Sequence, residues 1–385
     1  MRNKKRIPLE LYVHIPFCVR KCEYCDFLSG PAGKETQKSY VQALLKEIQG
    51  SGDASDWEVI SVFIGGGTPS LLDASDISDI MKELKEKFVF SDDAEVTIEA
   101  NPGTLTLQKL KSYRESRINR LSLGLQSADN EELRMLGRIH TFEEFLESYE
   151  FARKAGFDNI NVDLIFAVPG QTRKGWEYNL RTVAELKPEH ISAYSLIIEE
   201  GTPFAEKELD LPDEDTEYEM YEDTSRILKE YGYSQYEISN YARDGYACRH
   251  NSGYWKRTEY LGLGLGAASL MPWKDCRAGF RFHNTENMQE YLQWSGCPEK
   301  IRKNETMLSV KEQEEEFMFL GLRMTEGVSE AGFYKNFAAS MGEVYGEVLE
   351  KYRSMGFMEK NKDFWRFTRQ GIHVSNQILA DFLQD

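Results

Sequence analysis

Three cysteines fall within eight residues near the start of the chain. The segment reads Tyr12-Val13-His14-Ile15-Pro16-Phe17-Cys18-Val19-Arg20-Lys21-Cys22-Glu23-Tyr24-Cys25-Asp26-Phe27. The spacing is Cys-x3-Cys-x2-Cys. Three thiolates on one compact loop can each take one iron of a cubane iron–sulfur cluster. The fourth iron then lacks a nearby thiolate, and an open metal position is where chemistry happens. The other reading is zinc, completed by His14 or by a distant residue. Structural zinc sites usually come as two Cys-x2-Cys pairs, and the chain has no second pair. The spacing favours the cluster.

Further residues with chemical potential are scattered along the chain. Gly65-Gly66-Gly67-Thr68-Pro69-Ser70 follows an apolar run, and glycines let backbone amides approach a ligand closely. A tight turn would use the same residues. Glu99 ends VTIEA, Gln126 ends LSLGLQ, and Asp163 lies inside NVDLIF. Each is a polar residue in or beside an apolar strand, where burial without a partner costs a few kcal/mol. A capping or turn role is the plain alternative for each alone. Three of them at strand ends point to a shared site, because barrel chemistry sits at the C-terminal ends of the strands. Later, Arg249-His250-Asn251-Ser252-Gly253-Tyr254-Trp255 places an imidazole beside two large aromatic rings. His250 could bind a metal through a neutral nitrogen, or be hydrogen-bonded in a turn. Cys248 reads as a buried, inert thiol.

The elements that position these residues alternate. Strands are expected at Leu11–Ile15, Val59–Ile64, Val96–Ala100, Arg120–Leu125, Ile160–Phe166 and His190–Ile197. Helices are expected among them: one around Val41, Leu44, Leu45 and Ile48, then Ile77–Phe88, Leu105–Ser116, Phe142–Ala155 and Gly175–Leu186. Such alternation means parallel strands with helical crossovers. Six units suggest an α/β fold built on a partial (βα)6 barrel. Beyond Glu199 the pattern changes. An acidic helix is expected at Asp213–Tyr231, a strand at Tyr236–Tyr241, and a glycine-rich apolar stretch at Leu261–Ser269. Helices at Glu312–Leu322, Ala338–Met355 and Ile372–Leu383, with a hairpin at Phe357–Thr368, suggest a winged-helix-like C-terminal unit. The expected division is 1–200 for the barrel, 201–298 for an extension carrying the His250 motif, and 299–385 for the C-terminal unit.

Composition narrows the function classes. The 385 residues carry a formal net charge of -17. Such an acidic chain repels phosphate backbones, so nucleic acid is not the expected partner. No apolar run reaches the roughly 18 residues of a membrane span, which leaves room for no more than peripheral membrane contact. The basic stretch Met1–Glu10 precedes no signal-peptide core. A cytoplasmic location is therefore expected, and there clustered thiols serve as metal ligands rather than disulfides.

The cysteine spacing at the head of a six-unit βα chain resembles the radical S-adenosylmethionine (SAM) superfamily. That resemblance implies SAM chelated to the open iron and cleaved by an electron from the cluster. More closely, the chain is similar to the oxygen-independent coproporphyrinogen III oxidase group. The similarity rests on YVHIPFC, FIGGGTPS, IEANPGT, LGLQS, LGR, VDLIFAVPGQT and GLGAAS, spread over residues 11–270. It implies SAM contacts from Tyr12, Gly66, Gly67, Thr68, Glu99, Gln126, Arg138 and Asp163, with Tyr24 near the adenine. The oxidase itself has a further cysteine two residues after the third ligand and a longer leading segment. Here that position is Phe27, and eleven residues precede Tyr12. Cys25-Asp26-Phe27, the His-Asn-x-x-Tyr-Trp motif at His250, and Val374-Ser375-Asn376 instead resemble a sister family of heme chaperones. That family implies a [4Fe-4S] cluster, SAM and heme as cofactors, a heme-acceptor protein as partner, and heme transfer in place of radical decarboxylation.

Overall fold

The computed structural model describes residues 6–52, 54–273 and 276–383. The basic run Met1–Lys5 lies outside them. Six parallel strands lie side by side in chain order: β1 (Ile7–Ile15), β2 (Trp57–Gly66), β3 (Val89–Ala100), β4 (Arg120–Gln126), β5 (Ile160–Phe166) and β6 (His190–Ser195). The crossovers are helical: α1 (Lys34–Gly50), α2 (Ala74–Lys87), α3 (Leu107–Glu115), the pair α4 (Asn130–Met135) and α5 (Phe142–Lys154), and α6 (Arg173–Glu185). This is the α/β arrangement of six βα units that the sequence pattern suggested, followed by a C-terminal domain.

Alternation along the strands separates two environments, because successive side chains point to opposite faces. Leu9, Leu11, Val13 and Ile15 of β1 join Val62, Ile64, Ile98, Leu121, Leu123, Val162 and Leu164 in the apolar layer under the helices. The other face is polar. Glu10 pairs in register with Ser61 of β2, and Ser61 with Glu95 of β3. Further round, Glu99 pairs with Ser122, Gly124 with Asp163, and Asp163 with Ser192. The concave side of the sheet is therefore lined with hydroxyls, carboxylates and amides rather than with the aliphatic layers usual in such barrels.

The expected elements are present with shifted ends. After α7 (Glu214–Glu230), the stretch expected as one strand at 236–241 is a turn over 236–239, between β7 (Ser234–Gln235) and β8 (Asn240–Ala242), and β8 extends the sheet antiparallel to β6. The short helix α8 (Arg249–Trp255) carries His250. β9 (Tyr260–Leu263) returns parallel to β1, so the glycine-rich stretch spans a strand, a turn and the start of β10 (Ala268–Trp273). β11 (Cys276–Asn284) and β12 (Arg302–Met307) complete one edge. A separate apolar cluster, with Met318, Phe333, Tyr345, Trp365 and Phe382 at its centre, forms the C-terminal core around the hairpin Met358–Phe367. Two expected helices differ. The one expected at Ala338–Met355 begins only at Met341 and runs to Ser354, because Ala338, at φ 54°, caps a further helix, Glu330–Phe337, that the sequence pattern did not suggest. The last divides at Val374 into Arg369–His373 and Ser375–Ala380. No helix among the described residues is long and apolar enough to cross a membrane.

Candidate functional site

β1 ends at Ile15 and the chain turns into the cysteine loop at the C-terminal edge of the sheet. The loop is pinned through its backbone. Cys18 N donates to Gly30 O at 3.0 Å, Glu23 N to Leu136 O at 3.2 Å, and Cys25 N to Cys22 O at 3.3 Å. Gly67 N and Thr68 N donate to Ile15 O and Phe17 O, which ties the glycine turn after β2 to the root of the loop. A Cβ on Gly67 would lie 2.6 Å from Phe17 O, so this close approach needs glycine.

All three cysteines are half-buried and line one cavity of ≈ 370 Å³, within the range of small-molecule sites. Cys18 Sγ lies 3.6 Å from both Ser29 Oγ and Thr68 Oγ1, and Arg138 Nη1 donates to Cys22 Sγ at 3.6 Å. Burial pushes the Cys25 thiol above its ordinary value; a bound metal would pull it down. Among the described residues no three His, Cys, Asp or Glu side chains converge as a site for one metal ion. A cubane makes a different demand. Each thiolate holds its own iron, so the three sulfurs must face one cavity without converging. His14 has both ring nitrogens engaged, Nε2 with Leu28 O at 2.8 Å and Nδ1 with the Tyr12 hydroxyl at 3.0 Å.

The strand ends supply the far wall. Glu99 Oε2 accepts from Gly66 N at 3.0 Å. Burial, reinforced by the nearby Asp163 charge, raises the Glu99 pKa to about 8. Asp163 is also raised by burial, although Ser122 Oγ (3.1 Å) and Asn161 Nδ2 (2.8 Å) donate to it. Arg138 Nη2 is fixed by Asn101 Oδ1 at 2.7 Å and Gly124 O at 2.6 Å. Gln126 adopts φ 78°, a left-handed conformation uncommon for a residue with a side chain, and lines the cavity. Two acids, one guanidinium and a primary amide thus face the thiols. Such a set suits a small molecule bearing an ammonium, a carboxylate and hydroxyls together.

The structure brings Cys18, Cys22, Tyr24, Cys25, Gly66, Gly67, Glu99, Gln126, Arg138 and Asp163 to this cavity. It does not bring three other candidates there. The Tyr12 ring is beneath, stacked on Phe63. Thr68 is buried, and its hydroxyl accepts from Asn101 Nδ2 at 2.8 Å. His250 is at the opposite end of the strands and is 1 % exposed. Its Nδ1 lies 2.8 Å from Ser61 Oγ and its Nε2 3.0 Å from Tyr254 OH. Burial lowers its pKa to about 3. Sequence reasoning passed over Asn101, Ser122, Gly124 and Tyr194, which also line the cavity. The period of two was the available signal, since Ser122 and Gly124 stand four and two positions before Gln126.

Comparison with known proteins identifies the family. Residues 12–183 match the family model of the radical SAM superfamily, and residues 308–374 match the HemN C-terminal domain. The chain is 36% identical over 382 residues to a heme chaperone HemW of Lactococcus lactis, covering 98% of both chains. It is 33% identical over 380 residues to HemW of Escherichia coli, covering 98% of this chain and 99% of that one. A zebrafish (Danio rerio) relative called radical S-adenosyl methionine domain-containing protein 1, mitochondrial, is 32% identical over 98% of this chain and 87% of its own. Among solved structures, coproporphyrinogen III oxidase (HemN) from Escherichia coli superposes with a TM-score of 0.84 over 100% of this chain and 92% of that one, at 24% identity; this likeness speaks to the fold. With a matching superfamily core, a matching C-terminal domain and full-length relatives of one name, the chain belongs to the heme chaperone HemW family of radical SAM proteins.

Proposed function

We propose that this chain holds a [4Fe-4S] cluster on Cys18, Cys22 and Cys25, binds SAM in the adjoining cavity, and carries heme to an acceptor protein. The observation that carries the reading is the single cavity faced by three thiols on one side and by Glu99, Gln126, Arg138 and Asp163 on the other. The name shared by its relatives supplies the heme. When bound, the cluster supplies an open iron for the amino acid end of SAM and an electron for its cleavage.

The chain's own residues do the holding. Glu99 keeps a proton at neutral pH, and an arriving ammonium would displace it, because a nearby cation favours the ionised carboxylate. Arg138 is pre-oriented by Asn101 and Gly124, so little is lost in ordering it. It stands beside Cys22, where a guanidinium stabilises thiolate charge. Asp163 accepts from Ser122 and Asn161 and can also take ligand hydroxyls. The mouth is apolar. Phe27 is 68% and Ile197 66% exposed beside Leu196. Phe27 stands where the decarboxylating oxidase has a cysteine, and an apolar rim suits the face of a porphyrin. For His250 to bind heme iron through Nε2, its bond to Tyr254 must break and α8 must move out of the floor.

The test uses anaerobically reconstituted protein. Iron and sulfide near four each per chain, a tight complex with SAM, and a Soret shift saturating at one heme would support the reading. Decarboxylated product from coproporphyrinogen III, without stable heme binding, would overturn it. The His250→Ala protein in the same heme titration decides whether that ring is a ligand.

A further inference from the structure

Asp163 lines the SAM cavity, and the groups that aim it lie deeper in the barrel. Asn161 and Asp163 stand two apart on β5, so both point to the concave face. Asn161 Nδ2 donates to Asp163 Oδ1 and to Ser122 Oγ, each at 2.8 Å, and Ser122 Oγ donates to Asp163 Oδ2 at 3.1 Å. Behind Asn161 stands His190, its register partner on β6. His190 Nδ1 is 2.6 Å from Asn161 Oδ1, and His190 Nε2 is 2.8 Å from the Tyr236 hydroxyl. The Tyr236 oxygen in turn accepts from Cys248 N at 3.3 Å. His190 is fully buried, and the SAM and heme reading gives it no part.

The direction of every bond in this run follows from its ends. An ionised carboxylate only accepts. The Asn161 amide must therefore turn its N–H groups to Asp163 and Ser122 and its carbonyl to His190. A carbonyl also only accepts, so His190 carries its proton on Nδ1. Burial and the nearby Arg120 charge push the imidazole pKa well down, so the ring holds one proton and not two. Nε2 is then bare and takes the Tyr236 proton, while the Tyr236 oxygen keeps its bond from Cys248 N. The result is a one-way series of donors that ends on Asp163. Reversing the Asn161 amide would set a carbonyl oxygen against the carboxylate. The Ser192 hydroxyl, 3.1 Å from Asn161 Oδ1, does not forbid that reversal, because a hydroxyl rotates to donate or accept. The same holds for Ser122. The His190 Nδ1–H is the group that sets the polarity of the amide.

We propose that His190 is a positioning residue for SAM: acting through Asn161, it keeps Asp163 an aimed, acceptor-only carboxylate for the hydroxyls of the ligand. The inference rests on the SAM reading above and deepens it. Without the Nδ1–H, the buried Asn161 carbonyl lacks its main donor and the amide is free to reverse. Asp163 then loses an N–H and meets a lone pair, which favours its protonated form. A protonated carboxyl turned toward Asn161 offers one acceptor fewer to the cavity.

The experiment measures SAM binding to holo-protein by calorimetry. His190→Asn places an amide N–H close to where Nδ1 stands, and His190→Gln places it close to where Nε2 stands. Both keep an uncharged polar side chain in the same pocket. The expected result is affinity near wild type for His190→Asn and a loss of about tenfold for His190→Gln, the worth of one hydrogen bond to a charged group. Beside Asp163→Ala, His190→Gln should cause no further loss, because its effect runs through that carboxylate. Equal affinities for the two His190 variants would overturn the positioning role and leave the cavity reading intact. So would a His190→Gln loss that persists undiminished beside Asp163→Ala. Nitrogen NMR of histidine-labelled wild type tests the same point without a variant: the His190 proton must sit on Nδ1, and a proton on Nε2 would overturn the inference. Wild-type holo-protein that fails to bind SAM would sink the cavity reading and this one together.

Discussion

The floor of the barrel offers a sharp test of how the polar interior is balanced. Glu10 is 1% exposed, and neither carboxylate oxygen has a hydrogen-bond partner. Ser61 lies beside it, but its hydroxyl is within 2.8 Å of His250 Nδ1. His250 Nδ1 is itself 3.9 Å from Glu10. Burial, with the nearby Glu95 charge adding, raises the Glu10 pKa to about 9. The native state therefore holds a proton that the unfolded chain, with its ordinary carboxyl, releases above pH 4.5. Stability linked to this group is complete below the unfolded value and falls as pH rises toward about 9. The slope is about 1.4 kcal/mol per pH unit, so roughly 3 kcal/mol disappear between about pH 6 and about pH 8. Glu10→Gln should remove that slope. Urea unfolding of both proteins across this range, read as the difference in their stabilities, measures it directly. The variant should gain on wild type steadily with rising pH. Parallel curves would refute the argument and mean that Glu10 is ionised in the native state, through water or a charged His250.

Other outcomes follow from the same geometry. Cys22→Ser should abolish the visible absorbance of the reconstituted cluster while far-ultraviolet circular dichroism stays native, because the loop's backbone bonds do not depend on that sulfur. Arg138→Ala should weaken SAM binding by about tenfold or more, the worth of one charged hydrogen bond, as read by calorimetry on holo-protein. Gly66→Ala places a Cβ 2.5 Å from the His14 ring at a φ of 110°, and should cost on the order of 1–3 kcal/mol in thermal stability. Glu316→Gln removes the carboxylate that pairs with buried Arg257 at 3.0 Å and with Arg281 at 2.8 Å. The expected loss is about 3 kcal/mol, measured as a lower unfolding midpoint.

Much of the core was legible because its strands obey simple alternation. In β4 the apolar Leu121, Leu123 and Leu125 face the helices while Arg120, Ser122 and Gly124 face inward, so a single strand announces both layers. The ends of the strands also announced Glu99, Gln126 and Asp163, since polar residues there have few other reasons to follow an apolar run. What stayed hidden depends on distant contacts. His250 looks like a free ligand in its local motif. Its burial comes from Ser61, 189 positions earlier, and from the Tyr254 hydroxyl. The helix end at Ala338 was equally illegible, because alanine is a strong helix former, yet here it stands exposed at φ 54° as a cap. The turn at 236–239 follows from Glu237, which is 1% exposed and whose carboxylate accepts from Ser239 N and Asn240 Nδ2. No periodic pattern reveals such a local knot.

The cysteine loop carries one last implication, for the order in which the molecule is made. Its path is set by bonds to Gly30, Leu136, Ile15 and Phe17 that involve no sulfur, and by the Arg20 anchor on Gly137. Small metal domains that lack such scaffolding collapse only around their ion, so metal affinity and folding energy are the same quantity. Here the two are separable. On the cluster reading proposed above, the polypeptide would reach its final shape while iron is scarce and receive its inorganic part afterwards as a finished unit. The binding energy of the cluster is then available to hold the metal rather than to assemble the chain around it.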